Sequence, residues 1–465
     1  MKRLTRNLIL VFLSSLLSSL AYPQDLYTIL ELALENDPTL KQAEAQYRAN
    51  RENLSQSRSA LLPNFGAGGS TSRVTSGPAN DVFRDFPDPI TGAIRSVLAQ
   101  PRHSYGNGLN NHGWGVNLSQ SVLNLASWYT FQSAQANDRA AAVNLAAQEQ
   151  DLIMRVAMAY FDVLRAQELL ATNVQEEEAA LRSLEQTRQR EEVGLVAITD
   201  VFDSQAAYDL ARNTTILQRD QLRARFEALE AITGQPHGDI DELRADFPIV
   251  EVDGRLIEWE DQAEENSLAI AAARHNLEAS RKNLRARKAD RLPTVDFLGQ
   301  YGHNVTAPIV SQGIQIGGGA FDRTSLALSI NIPIYSGGAV SSRRRQAEQN
   351  LVAAQESLEL TKRQLTQNIR NAYRRVNTDV LVIAQRQQSI DSAQLALDAT
   401  ELGAEVGTRN IVEVLRAREN LYRALRQYAD ARFNYVLDTL VLKQVAGILT
   451  PDDIIALNEW LQSEG

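Results

Sequence analysis

The feature that most constrains this chain is a turn that occurs twice. The first copy reads Glu192-Val193-Gly194-Leu195-Val196-Ala197-Ile198-Thr199-Asp200-Val201. The second reads Glu405-Val406-Gly407-Thr408-Arg409-Asn410-Ile411-Val412-Glu413-Val414. Each follows a very long helical pattern and precedes a shorter one. Glycine supplies the backbone freedom that ends a helix, and Thr199 and Asp200 are good residues for starting the next. Both copies are therefore expected to be the hairpin tips of long antiparallel coiled coils.

The rest of the chain repeats around these tips. Residues 1–21 read as a signal peptide: Lys2, Arg3 and Arg6 precede a mostly apolar run, and Ser19-Leu20-Ala21 is a small-x-small cleavage site. A first repeat, 22–245, holds a helix over 34–62, strands at about 65–75 and 113–123, the long helix 125–193 and a helix over 199–232. A second, 246–465, holds a helix over 264–292, strands at about 294–302 and 324–334, the long helix 339–406, a helix over 411–446 and a C-terminal segment. Mixed segments at 234–263 and 448–465 close the repeats, with 247–252 as a short strand. Leu62-Pro63 matches Leu292-Pro293 at an offset of 230, and Gly194 and Gly234 match Gly407 and Gly447 at 213.

The patterns behind these elements are physical. Leu152, Val156, Ala159, Val163, Ala166 and Leu170 step by four and three, as in a coiled-coil seam. Trp114, Val116, Leu118, Gln120 and Val122 alternate with Gly115, Asn117, Ser119 and Ser121, the period of a strand with one apolar face. Residues 76–113, with four prolines and several glycines and asparagines, have loop composition.

Composition removes several function classes. With no cysteine there are no disulfides, thiolate metal sites or lipidated N-terminal cysteine. A net charge of −10 argues against nucleic acid as a partner. The five histidines are scattered, with no HExxH, GxSxG or Walker pattern, so no catalytic residue, metal or cofactor is expected. Energy for any transport would come from a partner protein.

Four strands cannot close a barrel alone, since membrane barrels need about eight or more strands and lipid tolerates no open edge. Either the sheet is soluble, or several copies pool their strands. Three copies would make twelve strands, continued by a helical tube of coiled-coil hairpins, and four would also close. A periplasmic coiled-coil tether is the rival from another class, but it leaves the alternating strands unexplained. Two basic runs flank the strands on the helix side: Arg281, Lys282, Arg285, Arg287, Lys288 and Arg291, then Arg343-Arg344-Arg345. Two readings stand for them: contact with anionic lipid headgroups beside the strands, or a solvated helix face.

The tips and junctions resemble those of the TolC family of outer-membrane export channels. The motifs are Val193 to Val201, Gly407-Thr408-Arg409 with Ile411-Val412-Glu413-Val414, and Ala431-Arg432-Phe433-Asn434-Tyr435. The resemblance covers essentially the whole chain after residue 21. It implies a mostly α protein with a membrane β part: duplicated coiled-coil hairpins forming a periplasmic tunnel, and four strands per chain in a trimeric twelve-stranded outer-membrane barrel. It also implies a homotrimer docking onto a periplasmic adaptor (membrane fusion protein) and an inner-membrane pump or ABC transporter, exporting drugs or secreted proteins. By the same resemblance, Val193, Gly194, Leu195, Val406, Gly407 and Thr408 are the adaptor-contact tips. Thr199 and Asp200 accept from Arg409 in an iris-like gate, and Glu413 keeps one of two acidic ring positions. This chain departs from the family at Ala404, where a tyrosine link is missing, and at Arg416, which replaces the second acid. An Arg416 ring beside a Glu413 ring is expected to pair and stiffen closure.

Overall fold

A computed structural model describes residues 25–74, 82–100, 109–311 and 314–462. The expected signal peptide, 1–21, lies outside them. In chain order, helices α1 (Leu26–Asn36) and α2 (Pro38–Ser59) precede strands β1 (Asn64–Val74), β2 (Val82–Pro87), β3 (Ile94–Gln100) and β4 (Leu109–Leu123). The long helix α3 (Leu125–Glu192) returns as α4 (Ile198–Thr233), followed by β5 (Glu242–Leu243). Then come α5 (Leu256–Asn266), α6 (Leu268–Ala289), β6 (Thr294–Thr306), β7 (Ile309–Ser311), β8 (Ile314–Ile316) and β9 (Gly319–Asn331). A second long helix, α7 (Ala339–Glu405), returns as α8 (Ile411–Val445) and leads to α9 (Pro451–Asn458) and β10 (Leu461–Gln462). At 1.5 Å per residue each long helix is about 100 Å long.

Several boundaries differ from the periodicity, each for a local reason. The single helix expected over 34–62 is two, because Asp37-Pro38 interrupts it. Proline has no N–H to donate and its φ suits the first helical position; the Asp37 carboxylate accepts from the Leu40 amide at 2.8 Å. Ser267 likewise divides the helix expected over 264–292, its hydroxyl accepting from the Ile270 amide at 3.4 Å. The strand expected over 324–334 is shifted to Gly319–Asn331, ending before Pro333, which has no ladder donor. Within the loop 76–113, β2 and β3 pair as a hairpin. Its turn is held by Asp88, which accepts from the Ile90 and Thr91 amides at 2.9 and 3.1 Å. Residues 76–81 and 101–108 of that stretch lie outside the described residues. No strand forms over 247–252, because side chains take its backbone groups. The Tyr435 hydroxyl accepts from the Val250 amide and donates to its carbonyl at 3.0 and 2.8 Å, and Asn377 accepts from the Val252 amide at 3.1 Å. The short pairing instead joins β5 to β10.

The chain packs as two units, and each draws on both sequence repeats. The first comprises the residues up to Ala49, Arg139–Arg274 and the residues from Glu356 onward. Its core sets Leu26, Ile29, Leu30 and Ala33 of α1 with Leu152, Val156, Tyr160 and Phe161 of α3 and Phe433, Val436 and Leu440 of α8. Arg155 of α3 makes a bidentate pair with the buried Asp37, at 3.2 and 2.7 Å. A separate cluster of Leu397, Val414 and Leu421 joins α7 to α8 near the second tip.

The second unit, Asn50–Asp138 with His275–Gln355, contains an antiparallel sheet of order β1-β4-β6-β9. Its register puts Phe65, Leu118, Val116, Trp114, Phe297, Tyr301, Leu326, Leu328 and Ile330 on one face. The other carries Gly66, Gly68, Ser70, Asn117, Gly115, Gln300, Asn304, Ser325 and Ser329, with Val74, Leu109, Leu298, Phe321 and Ala327 as apolar exceptions, while the first face carries His112, His303, Asp322 and Thr324 toward its far end. The apolar face is bare, with Leu326 at 71 % exposure. The outer edges of β1 and β9 are unpaired among the described residues. No described helix is long and apolar enough to cross a membrane.

Candidate functional site

Both tips are built by one backbone device in the first unit. After α3, Gly194 takes φ 75°, its amide bonds to the Glu191 carbonyl, and the Leu195 amide reaches back to Arg190 at 2.8 Å. After α7, Gly407 takes φ 79°, its amide bonds to Ala404, and the Thr408 amide reaches back to Gly403 at 2.8 Å. These are paired Schellman closures, which require the left-handed conformation that glycine adopts without penalty. They leave Val193, Leu195 and Val406 68 to 70 % exposed, an apolar cap on each tip. Thr408 stands in the second tip where Leu195 stands in the first, and its hydroxyl bonds to the Gly403 carbonyl at 3.0 Å.

The return helices begin differently. Thr199 and Asp200 do not cap α4: the helix starts at Ile198 behind Ala197, which offers no side-chain cap. Asp200 sits instead in the first turn, where its charge favours the helix N-terminus. In the second copy Asn410 is a true cap, accepting from the Glu413 amide at 2.9 Å. Arg409 donates to Glu413 at 2.7 Å within its own tip, and neither Thr199 nor Asp200 receives it in the chain as described.

Gly403 explains the course of Arg409, and periodicity alone does not single it out. A Cβ there would lie 2.7 Å from Arg409 Cγ and 3.3 Å from the Thr408 hydroxyl. The missing side chain lets the arginine stem cross the last turn of α7 toward Glu413. Ala404, like Ile411, packs partly buried against the Leu397 cluster. Arg416 does not pair with Glu413 in the chain. It lines a cavity of about 260 Å³ with Ala207, Leu210, Val412, Leu415 and Glu419.

The two hairpins share contacts at the 213-residue offset but reverse their chemistry. Asp162 meets Arg225 at 3.1 Å in the first, and Arg375 meets Asp438 at 3.2 Å in the second. Nearer the tips, Arg188 donates to Gln205 at 2.6 Å in the first, whereas Arg418 pairs with Glu401 at 2.7 Å in the second. Arg418 also donates to the Ala179 carbonyl of α3 at 3.0 Å, tying the second hairpin to the first. Both seams are apolar at matching positions, Leu184 and Val201 in the first and Leu397 and Val414 in the second, and the first also buries Ser183, Thr187, Ser204, Thr215 and Gln218.

Duplicated hairpins with glycine-closed apolar tips, joined in one chain to a sheet that is bare and apolar on one face, define a class of outer-membrane protein. The chain belongs to the family described as Outer membrane efflux protein, whose model matches residues 29–235 and 259–447. Outer membrane protein TolC of Vibrio cholerae serotype O1 is 34 % identical over 450 residues, covering 96 % of each chain. Proteases secretion protein PrtF of Dickeya chrysanthemi is 27 % identical over 466 residues, covering 98 % of this chain and 96 % of its own. The crystal structure of the outer membrane protein VceC from Vibrio cholerae has a TM-score of 0.72 at 17 % identity, covering 91 % of this chain and 96 % of its own.

Proposed function

We propose that the chain is the outer-membrane exit channel of an export system, passively conducting drugs or secreted proteins across the periplasm and outer membrane. The observation that carries this is the sheet: one face apolar and exposed, the other polar, with both edges open. Hydrocarbon would cover the apolar face, and the open edges require further copies, because unpaired strand groups are not tolerated in lipid. A homotrimer of twelve strands meets that requirement and leaves the polar face to line the conduit. The efflux family and the relative named for protease secretion support this use.

The tips are the end that meets a periplasmic adaptor, through Val193, Gly194, Leu195, Val406, Gly407 and Thr408. Exposed apolar residues at a rigid turn suit a protein contact. The adaptor would link the channel to an inner-membrane pump or ABC transporter that supplies the energy. Thr199, Asp200, Arg409, Glu413 and Arg416 form the gate. The Arg409–Glu413 pair offers Arg409 a partner inside its own tip, so closure would transfer the guanidinium to Thr199 and Asp200 of a facing tip. A deletion strain, tested for drug sensitivity and for loss of secreted proteins, identifies the cargo. Reconstituted protein is expected to form trimers that conduct in planar bilayers, whereas a monomer without conductance overturns the proposal.

A further inference from the structure

We propose that the helices adjoining the sheet form a collar that binds the phosphate headgroups of anionic phospholipid at the helix side of the membrane. The inference rests on the apolar sheet face lying in a bilayer, and it adds which residues hold which lipid. Across the whole chain 57 acids outnumber 47 arginines and lysines. In the segments flanking the strands, 50–62, 125–138, 275–292 and 333–355, the balance reverses: eleven arginines and lysines stand against five acids.

The structure sorts these cations into two groups. Some knit the unit together. Asp290 lies 3.7 Å from Arg287 and 3.9 Å from Arg343, and Arg291 donates to Ser341 at 3.0 Å. Arg344 pairs with Glu348 at 3.1 Å, and Lys282 donates to Gln132 at 2.9 Å. The others are exposed and make no ion pair or hydrogen bond among the described residues: Arg51 and Arg58 of α2, and, clustered next to β6 and β9, Arg281, Arg285 and Lys288 of α6 with Arg345 of α7. Arg281, Arg285 and Lys288 follow steps of four and three, so they form one stripe along the helix.

The stripe sits at the right depth. Lys288 lies six residues before Thr294, the first residue of β6, and Arg281 is seven residues further back, about 10 Å along the helix. A headgroup layer is about 5–8 Å thick, and the field of an anionic surface persists for about 8 Å beyond it in physiological salt. Trp128 and Tyr335, exposed beside the strand ends, are side chains of the kind that anchor at a membrane interface. A stripe of unpaired cations next to an apolar wall is complementary to lipid phosphate, at roughly fivefold in binding for each cation near the surface.

The test uses the full chain reconstituted in phosphatidylcholine vesicles with a trace of spin-labelled phosphatidylglycerol. Phosphatidylglycerol is expected to be held several-fold more strongly than labelled phosphatidylcholine, with the preference falling at high salt. The combined Arg281→Gln, Arg285→Gln, Lys288→Gln and Arg345→Gln variant should lose that preference while still conducting. An equal affinity for both lipids, or a preference untouched by the variant, overturns the proposal. Because the chain has no cysteine, a fluorophore on Arg285→Cys reports the stripe's position. Quenching by headgroup-labelled lipid supports the collar, and no quenching places the stripe in the conduit and overturns it. A fluorophore on Leu326→Cys, quenched by brominated acyl chains, tests the membrane face separately, so the two failures are distinguishable.

Discussion

At the scale of single residues, two positions stand out because space or charge is unusual there. A helical glycine replaced by alanine ordinarily gains up to about 1 kcal/mol. At Gly403 the added Cβ meets Arg409 Cγ at 2.7 Å, so the arginine must leave its seat. Gly403→Ala is expected to weaken the Arg409–Glu413 pair and shift resting conductance up to about fivefold, the reach of an exposed pair worth about 1 kcal/mol or less. Glu413→Gln should act in the same direction, and adding Gly403→Ala to it should have little further effect in single-channel recordings. The second position is Asp379, one turn beyond Arg375 and facing Asp438. Burial, followed by the Asp438 charge, pushes its carboxyl up to about 7, and one of its oxygens has no hydrogen-bond partner. An acid whose folded pKa is raised contributes stability that is full below its unfolded value near 4 and is lost as pH rises through 7. Asp379→Asn, which mimics the protonated form, is expected to melt higher than the parent above pH 7 and no higher near pH 4. Thermal unfolding across that range checks it. The corresponding position in the first repeat is Ala166, buried and without charge.

At the scale of elements, the two hairpins are alike in backbone and in two apolar anchors, and they differ in the polar groups buried beside these. The first seam adds hydroxyls and an amide to its buried Leu184 and Val201, as where Ser204 donates to Thr187 at 3.3 Å and Thr215 to the Asn173 carbonyl at 3.2 Å. Such bonds contribute about 1 kcal/mol each, because the unfolded chain bonds to water instead. The second seam is held by leucine and valine packing. Leu397→Ala is expected to cost about 2–4 kcal/mol, and Ser204→Ala about 1 kcal/mol or less. Local hydrogen exchange at each tip distinguishes them: the second tip should open far more readily in its variant than the first does in its own. The ion pair Glu401–Arg418 then becomes the clasp of the second hairpin nearest its tip, with Arg386–Gln427 and Arg375–Asp438 further along.

At the scale of the whole molecule, the deciding property is that one sheet has two chemically opposite faces. An arginine at Leu326, on the apolar face, is expected to destabilise the assembled channel by about 2–4 kcal/mol if it lies near the bilayer midplane. An arginine at its neighbour Ser325, on the polar face, should leave assembly intact and shift ion selectivity toward anions. Denaturant titration of reconstituted trimers and reversal potentials measure the two outcomes. The asymmetry of a single-residue step follows from the strand period of two.

Much of this was legible in the chain because it obeys local rules. The paired glycines at 194 and 407, the absence of glycine and proline along α3, and the alternation from Trp114 to Val122 follow from positive φ, helix propensity and strand pleat. The Asp37-Pro38 break obeys local rules as well, although helical periodicity runs through it. What only the tertiary structure decided are matters of partner choice. The order β1-β4-β6-β9 joins strands from both repeats, and pairing across such a separation leaves no trace in periodicity. Arg409 goes to Glu413 because Gly403 leaves a path for it, and a long flexible arginine takes whichever acceptor the surrounding volume permits. The reversed ion pairs of two hairpins with one backbone plan were decided the same way. Backbone geometry is written residue by residue, while side-chain partnership depends on what the fold brings near.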